Sequence, residues 1–453
     1  MLAKVVCHSA DVVSRRVRQR RRQVTVVGVL VFLLLIFVIF FSGGGKKATP
    51  PAPAKAHTTQ AFPAHSPLNP DWTGSGKPVT LAFGGDVHFE GTVGASLQQN
   101  AATALGTTFP TLFSGAQLSM VNFESALTAG TCPEPQTKPY IFFAPPTALT
   151  ALQQAGVTVA SDANDHSVDC GQEGLSQGLT AVAQAKYPML GIGSNAAQAF
   201  APYRATIKGQ RVAIITATQV IAPNLVTTWT ATSSQAGVAS AIDPTQLVQT
   251  VQAARRSSDT VVVYLHWGTE TVTCPNPQQQ PLAQQLVKAG ADIVVGSGTH
   301  VLSGGGYLGG AYVDYGLGNF AFYDSAPPET DSGSLLVTAI GRKIVTAVFR
   351  PATDVNGLPQ PLTGTAAQTA VASWDAARGC TGLSAAPAAS QTTVAGETAP
   401  FVAPSTTTTT TTTAPTTAST TATTSGSSSS ASSTTTTSTT TAATTTAPTD
   451  NAG

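Results

Sequence analysis

The chain has 453 residues, only 10% of them charged, and its 23 Lys and Arg against 22 Asp and Glu leave a net charge of +1. That balance excludes the broad basic face with which proteins hold nucleic acid, outside the N-terminus. The five cysteines, Cys7, Cys132, Cys170, Cys274 and Cys380, form no C-x-x-C pair, which argues against a structural zinc ribbon.

Taken in chain order, residues 1–23 are a basic cytoplasmic segment, dense in arginine at Arg15, Arg16, Arg18, Arg20, Arg21 and Arg22. The uncharged run that follows contains VTVVGVLVFLLLIFVIFF from Val24 to Phe41. At about 1.5 Å per residue it covers roughly 27 Å, close to the hydrocarbon core of a bilayer. The run is longer than the apolar part of a signal peptide and lacks an A-x-A-like site. It therefore predicts an uncleaved, single-pass transmembrane anchor over 24–42. The arginines keep the N-terminus in the cytoplasm and the rest of the chain outside the cell membrane.

Residues 43–77, rich in Pro, Ala, Ser and Gly, read as a linker. Residues 78–352 alternate strand-like and helix-like segments, the rhythm of a layered α/β domain. Within it, Ile207 and Arg211 to Ala217, around Lys208-Gly209-Gln210, read as a hairpin. Asp243-Pro244 opens a helix to about Arg256, with Leu247, Val248 and Val251 on one face. Thr260 to Leu265 is a strand, Pro281 to Ala289 a helix and Asp292 to Val295 a strand. Residues 353–401 read as irregular. Residues 402–453 are almost wholly Thr, Ser, Ala and Pro, with Asp450 the one charged side chain. Such a tail cannot bury enough apolar surface to offset its chain entropy, so it is expected to be disordered, as a solvated spacer or a glycosylated stalk.

Chemistry-bearing residues collect where strands end. Thr80 to Gly91 reads TLAFGGDVHFEG: an apolar run, two glycines that permit a sharp turn, then Asp86 and His88. A carboxylate and an imidazole two residues apart at a strand end suit one metal ion. Further strands run into Asn122 and Glu124, into Asn164, Asp165, His166 and Asp169, into His266, into His300 and into Asn319. Seven histidines are present; His8, His57 and His65 precede the domain, and all four within it lie at strand ends or in the loops that follow. That clustering predicts a shared metal site.

The segments GGDVHFEG, VNFES, ANDHSVDCGQEGL, YLHWGTE, GADIVVGSGTHVLSG and YGLGNFAF, in this order, resemble the motifs of the CapA family of bacterial capsule and poly-γ-glutamate synthesis proteins. TKPYIFFAPP, from Thr137 to Pro146, resembles the segment that follows the family's second motif. That family is similar to the calcineurin-like metallophosphatases. The resemblance implies a four-layer αββα sandwich with its metal site at the strand ends. It implies Asp86, His88, Glu124 and His300 for one ion, and Glu124, Asp165 and His266 for the other. The sequence departs from the pattern at Asp165, where Asn is expected, and at Gly298, where a second histidine is expected. Hence one divalent ion (Mn, Fe or Zn) is expected rather than two.

His166 matches the family's proton donor to the leaving group. Asp169 either orients His166 or, the preferred reading, caps the helix at Gln172 to Leu175. Asn122, Asn164 and Asn319 are expected to support the ligands. Trp267 either packs over the site or is a buried aromatic, and Glu270 is expected to be an exposed loop carboxylate. The resemblance implies an anionic surface polymer or its precursor as ligand and a polymer synthase complex as partner, while the apolar run implies membrane attachment through the N-terminal helix. Two functions stay open: a metal-dependent hydrolase, phosphoesterase-like, and a non-catalytic assembly module.

Cys132, Cys170 and Cys274 each follow a site motif closely. They are expected to form disulfides that hold the long site loops, with Cys380 tying down the segment behind the domain. Titration of denatured, unreduced protein is expected to find one free thiol, Cys7; four further free thiols would rule the disulfides out.

Overall fold

Apolar runs of β-branched residues build two sheets, and amphipathic helices cover their outer faces. The structure, a computed structural model, describes residues 65–323 and 326–388. The first sheet contains β1 (Val79–Val87), β2 (Leu118–Phe123), β3 (Val159–Ser161) and β4 (Met189–Leu190). The second holds β5 (Tyr203–Ile207), β6 (Gln210–Thr218), β7 (Thr260–His266), β8 (Ile293–Ser297), β9 (Gly305–Leu308) and β10 (Ala311–Asp314). The chain then returns to the first sheet with β11 (Asn319–Ala321), β12 (Asp331–Ile340), β13 (Lys343–Val355) and β14 (Leu358–Pro361).

The eight-stranded first sheet runs β14-β13-β12-β1-β2-β3-β4, with β11 beside the end of β1; the six-stranded second sheet runs β9-β10-β8-β7-β6-β5. Strands β1 to β4 are mutually parallel, as are β6, β7, β8 and β10. Parallel strands put their carboxyl ends on one rim, where ligands gather in α/β sheets.

The sheets face each other across a core of Leu81, Phe83, Met120 and Val159 from one and Val212, Ile214, Val262, Tyr264 and Val295 from the other. Helices α1 (Gly91–Gln99), α2 (Thr108–Leu112), α3 (Thr147–Gln154) and α4 (Gly171–Ala185) cover the outer face of the first sheet. Helices α5 (Thr245–Arg255) and α6 (Gln279–Ala289) cover the second through Leu247, Val251, Leu282 and Leu286. The layers are thus helix, sheet, sheet, helix. The strands and helices expected between Ile207 and Val295 are all present. Thr245 N–H donates to Asp243 Oδ1 at 3.0 Å, the local bond expected at the start of α5.

Three expectations need correction. Residues 353–388 are not irregular: β13 runs on to Val355, β14 follows, and α7 (Gly364–Ala377) packs Trp374 on Phe349 with ring centroids 4.9 Å apart. A sequence dominated by alanine gives little apolar periodicity, so one buried tryptophan decides the docking. The expected linker is attached from residue 65 on: Trp72 Nε1 donates to Asp259 Oδ1 at 2.7 Å, and Arg342 N–H donates to the Trp72 carbonyl at 2.8 Å. Nor do Gly84 and Gly85 make a turn, because β1 continues through them to Val87. The register between β1 and β2 shifts between Phe83 and Asp86, and a Cβ on Gly85 would lie 1.8 Å from the Gly318 carbonyl oxygen. Gly85 thus admits a close backbone neighbour and Gly84 the Phe320 ring, at an irregular step in the strand.

The basic segment 1–23, the anchor over 24–42 and the tail over 402–453 lie outside the described residues. Among the described residues no helix is long and apolar enough to cross a membrane. Two disulfides form, Cys132–Cys170 and Cys274–Cys380, spanning 38 and 106 residues. Loop-closure entropy makes each worth roughly 4–5 kcal/mol.

Asp314, at the end of β10, is fully buried and accepts from Gly316 N–H at 3.0 Å; burial pushes its carboxyl up to about 7. A folded-state value above the unfolded one gives stability that is complete below about pH 4 and is lost as pH rises through 7, on the order of 4 kcal/mol. Asp314→Asn is expected to remove that loss, so urea unfolding at pH 8 should find the variant more stable than the parent while the gap narrows at pH 4.

Candidate metal centre

The site forms where the carboxyl ends of both sheets meet. In the first sheet Asp86 pairs with Asn122 on β2 and with Asn319 on β11, so three polar side chains stand side by side. In the second, His266 at the end of β7 pairs with Ser297 at the end of β8. Hydrogen bonds tie the sheets together here: Gly298 N–H donates to Asp86 Oδ2 at 3.0 Å, Tyr264 OH donates to the Gly84 carbonyl at 2.8 Å, and Asn122 Nδ2 lies 3.2 Å from His266 Nδ1.

Asn122 is the hub. Its Nδ2 donates to Asp86 Oδ1 at 2.9 Å and to Glu124 Oε2 at 3.1 Å. Its Oδ1 accepts from Asn164 Nδ2 at 3.0 Å, which also donates to the Phe123 carbonyl at 2.8 Å. Asn164 Oδ1 in turn accepts from His166 N–H at 2.9 Å. Asn122 thus bonds the carboxylates directly, and Asn164 holds Asn122 and the His166 backbone.

Two triads are arranged so that each could hold an ion: Asp86, Glu124 and His266, and Glu124, Asp165 and His166. Glu124 belongs to both. Its Oε1 is buried without a hydrogen-bond partner, the mark of a ligand atom prepared for a cation. Burial, then the charges of Asp86 and Asp165, push the Glu124 carboxyl well above its usual range. Burial also opposes charge on Asp165, but His166, His266 and Lys138 together hold its carboxyl well below the ordinary value. His266 Nε2 lies 3.0 Å from Asp165 Oδ1, and its Nδ1 3.9 Å from Asp86 Oδ1. Burial works against the imidazolium of His266, yet Asp165, Asp86 and Glu270 keep its pKa above the usual imidazole value. Carboxylates and imidazoles suit Mn, Fe or Zn, so the donor set fits a divalent ion.

The remaining predicted residues are placed differently. His300 has φ +58°, a region a non-glycine residue seldom adopts. Its Nδ1 meets Asn319 Oδ1 at 2.9 Å, and its Nε2 lies 3.6 Å from Glu124 Oε1, at the edge of the first triad. His88 joins neither triad. β1 ends at Val87, and the His88 N–H is tied to the Ala321 carbonyl at 3.0 Å. Its ring stacks on Phe322 and Tyr323, with centroids 4.0 and 4.6 Å away, and meets Phe142 edge-on at 4.8 Å. Nε2 accepts from Tyr323 N–H at 3.2 Å, while Nδ1 is buried without a partner. Burial, with His166 and His300 nearby, drops its pKa to about 3, so the ring stays neutral.

Asp169 is not the helix cap: no side chain caps α4. Its Oδ2 accepts from Phe142 N–H at 2.7 Å and lies 2.6 Å from His166 Nδ1, so it orients the imidazole. Trp267 faces away from the site; it is buried against α6 and donates to the Tyr315 carbonyl at 2.9 Å. Glu270 is exposed. Cys132–Cys170 joins the loop after Glu124 to the residue before α4, and Cys274–Cys380 joins the loop after His266 to the end of α7. Sequence reasoning missed Lys138 as part of the site. The signal was available: it is the only Lys or Arg between Lys77 and Lys186.

These features define a two-sheet α/β protein with a shared-carboxylate centre, able to take a divalent cation at its strand ends. Comparison with known proteins gives the family: residues 80–324 match the family described as bacterial capsule synthesis protein PGA_cap, and the chain belongs to it. It is 32% identical over 222 residues to the capsule biosynthesis protein CapA of Bacillus anthracis, covering 48% of this chain and 52% of that protein. It is 27% identical over 245 residues to the PGA biosynthesis protein CapA of Bacillus subtilis (strain 168), covering 54% and 63%. The chain thus spans between about half and two thirds of the length of these relatives. A crystal structure of a phosphatase from Mycoplasma pneumoniae overlays with a TM-score of 0.35 at 14% identity, covering 61% of this chain and 95% of the other.

Glu124→Gln removes the shared carboxylate. It is expected to weaken Mn²⁺ binding by more than about 100-fold while raising the melting temperature of metal-free protein at pH 8, where crowded negative charge is relieved. Thermal unfolding with chelator and with added Mn²⁺ checks both directions.

Proposed function

We propose that this protein is a metal-dependent hydrolase, metallophosphatase-like in fold, that acts in the synthesis, attachment or export of an anionic surface polymer of the poly-γ-glutamate type. The observation that carries the reading is Glu124 shared between two ligand triads, with the His166–Asp169 pair against one of them. Family membership supports the polymer, as do the names of the relatives.

Asp86, Glu124 and His266 would hold the ion, with Asp165 and His300 at its edge. When bound, such an ion polarises a phosphoryl or acyl oxygen and lowers the pKa of a bound water. The protein's own residues do the rest. Asp169 holds His166 at Nδ1, which leaves Nε2 as the atom that hands a proton to the leaving group. Phe142 stacks on the His166 ring at 4.1 Å and excludes water from one face. The bond cleaved would be a phosphoester or a related acyl or amide bond.

The hydrophobic run over 24–42 supports a membrane anchor with the domain on the extracytoplasmic side. Two disulfides agree with an oxidising compartment. A polymer synthase complex would then be the partner at the membrane. A second reading, a non-catalytic module that grips polymer or metal for assembly, is favoured by Gly298 and by His88 turned into its aromatic cage.

Assays on phosphodiester and γ-glutamyl substrates, beside metal analysis, separate the two. His166→Ala is expected to lower kcat by about 10²–10⁴-fold with metal content unchanged, and His88→Ala to have a smaller effect. Bound metal with no turnover of any such substrate would favour the assembly module.

A further inference from the structure

Lys138 is buried against the second triad, and all of its contacts are internal. Its Nζ donates to the Asp165 carbonyl, forms an ion pair with Asp169 Oδ1 at 3.0 Å and lies 3.6 Å from Asp165 Oδ2. The same Nζ sits 3.2 Å from His166 Nδ1 and 5.4 Å from the centre of the Trp229 ring. The side chain is 9% exposed. An ammonium has three N–H bonds, and these carboxylates and this carbonyl absorb them. No donor is left over for a substrate, so Lys138 is a positioning residue.

The charge count around it is lopsided. Asp86, Glu124 and Asp169, all buried, and the half-buried Asp165 place four carboxylates around the two triads, and Lys138 is the only Lys or Arg in the 108 residues between Lys77 and Lys186. One divalent ion and one ammonium supply three positive charges. Two divalent ions with the ammonium in place would exceed the four negative ones. Gly298, whose N–H donates to Asp86 Oδ2, adds no side-chain donor beside His266. A Cβ on Gly298 would lie 2.8 Å from His266 Nε2, so no side chain fits there while His266 keeps its bond to Asp165.

We infer that Lys138 serves as a built-in second cation: its ammonium neutralises Asp165 and Asp169, keeps the second triad from taking its own divalent ion, and fixes both neighbours of His166. The centre then carries one ion per chain. This rests on the metal-centre reading above. A purely structural ion pair would stabilise the fold without setting the ion count.

The test uses the full-length chain in detergent, stripped with chelator and titrated with Mn²⁺, read by calorimetry and by electron paramagnetic resonance. The wild type is expected to bind one Mn²⁺ with an uncoupled six-line spectrum. Lys138→Met is expected to bind a second Mn²⁺, tightened by about tenfold or more as the competing ammonium is lost, with a spectrum broadened by coupling through Glu124. Lys138→Arg keeps the charge and is expected to stay at one. Two ions in the wild type would overturn the inference, as would a single ion in a Lys138→Met variant shown folded by circular dichroism. Lys138→Gln serves if the Met variant does not fold. No ion in the wild type would instead overturn the metal-centre reading itself.

Discussion

Buried negative charge is the constraint on which this structure depends. Asp86, Glu124 and Asp169 are buried where two sheets meet, with the half-buried Asp165 beside them, in a medium that disfavours unpaired charge. The protein answers with neutral donors first: Asn122 Nδ2 reaches both Asp86 and Glu124, and Asn164 fixes Asn122. It answers next with imidazoles and one ammonium. Like His88 Nδ1 in its aromatic cage, Glu124 Oε1 is left buried without a hydrogen-bond partner. A cation at that point completes an arrangement that is otherwise short of positive charge.

The rest of the fold delivers these groups with little freedom to move. β1 lies inside the first sheet, held by β12 along its first half and by β11 beyond, so that Asp86 comes into register with Asn122 on one side and Asn319 on the other. Gly85 permits the approach of Gly318 that this register demands. Across the sheet interface Gly298 donates directly to Asp86, which couples the position of the second sheet to the ligand itself. The two disulfides fasten the loops that follow Glu124 and His266.

Most of the fold was legible in the sequence, because buried parallel strands and amphipathic helices write their periods directly into it. The hairpin at Lys208-Gly209, helix α5 after Asp243-Pro244, and strands β7 and β8 all follow local rules. The segment after residue 352 was not legible. Its helix is built of alanine and threonine and is held by Trp374 and the Cys274–Cys380 bridge, neither of which leaves a periodic trace. Asp169 was misjudged for a similar reason. Its position before α4 fits a cap, but Phe142, 27 residues earlier, supplies the N–H that turns the carboxylate toward His166.

By itself the sequence determined which residue types stand at strand ends: Asp86, Glu124, Asp165, His166, His266 and His300 are ligand chemistry at the boundary of apolar runs, a local property of the chain. Tertiary structure alone decided which of them meet. It joined His266 to Asp86 and Asp165, turned His88 into a cage of Phe142, Phe322 and Tyr323, and brought Lys138 against two carboxylates from another loop. Those partnerships span tens to hundreds of residues, and no local rule of spacing or propensity encodes a contact at that distance. It is set by sheet order and register, which bring remote strand ends to one rim.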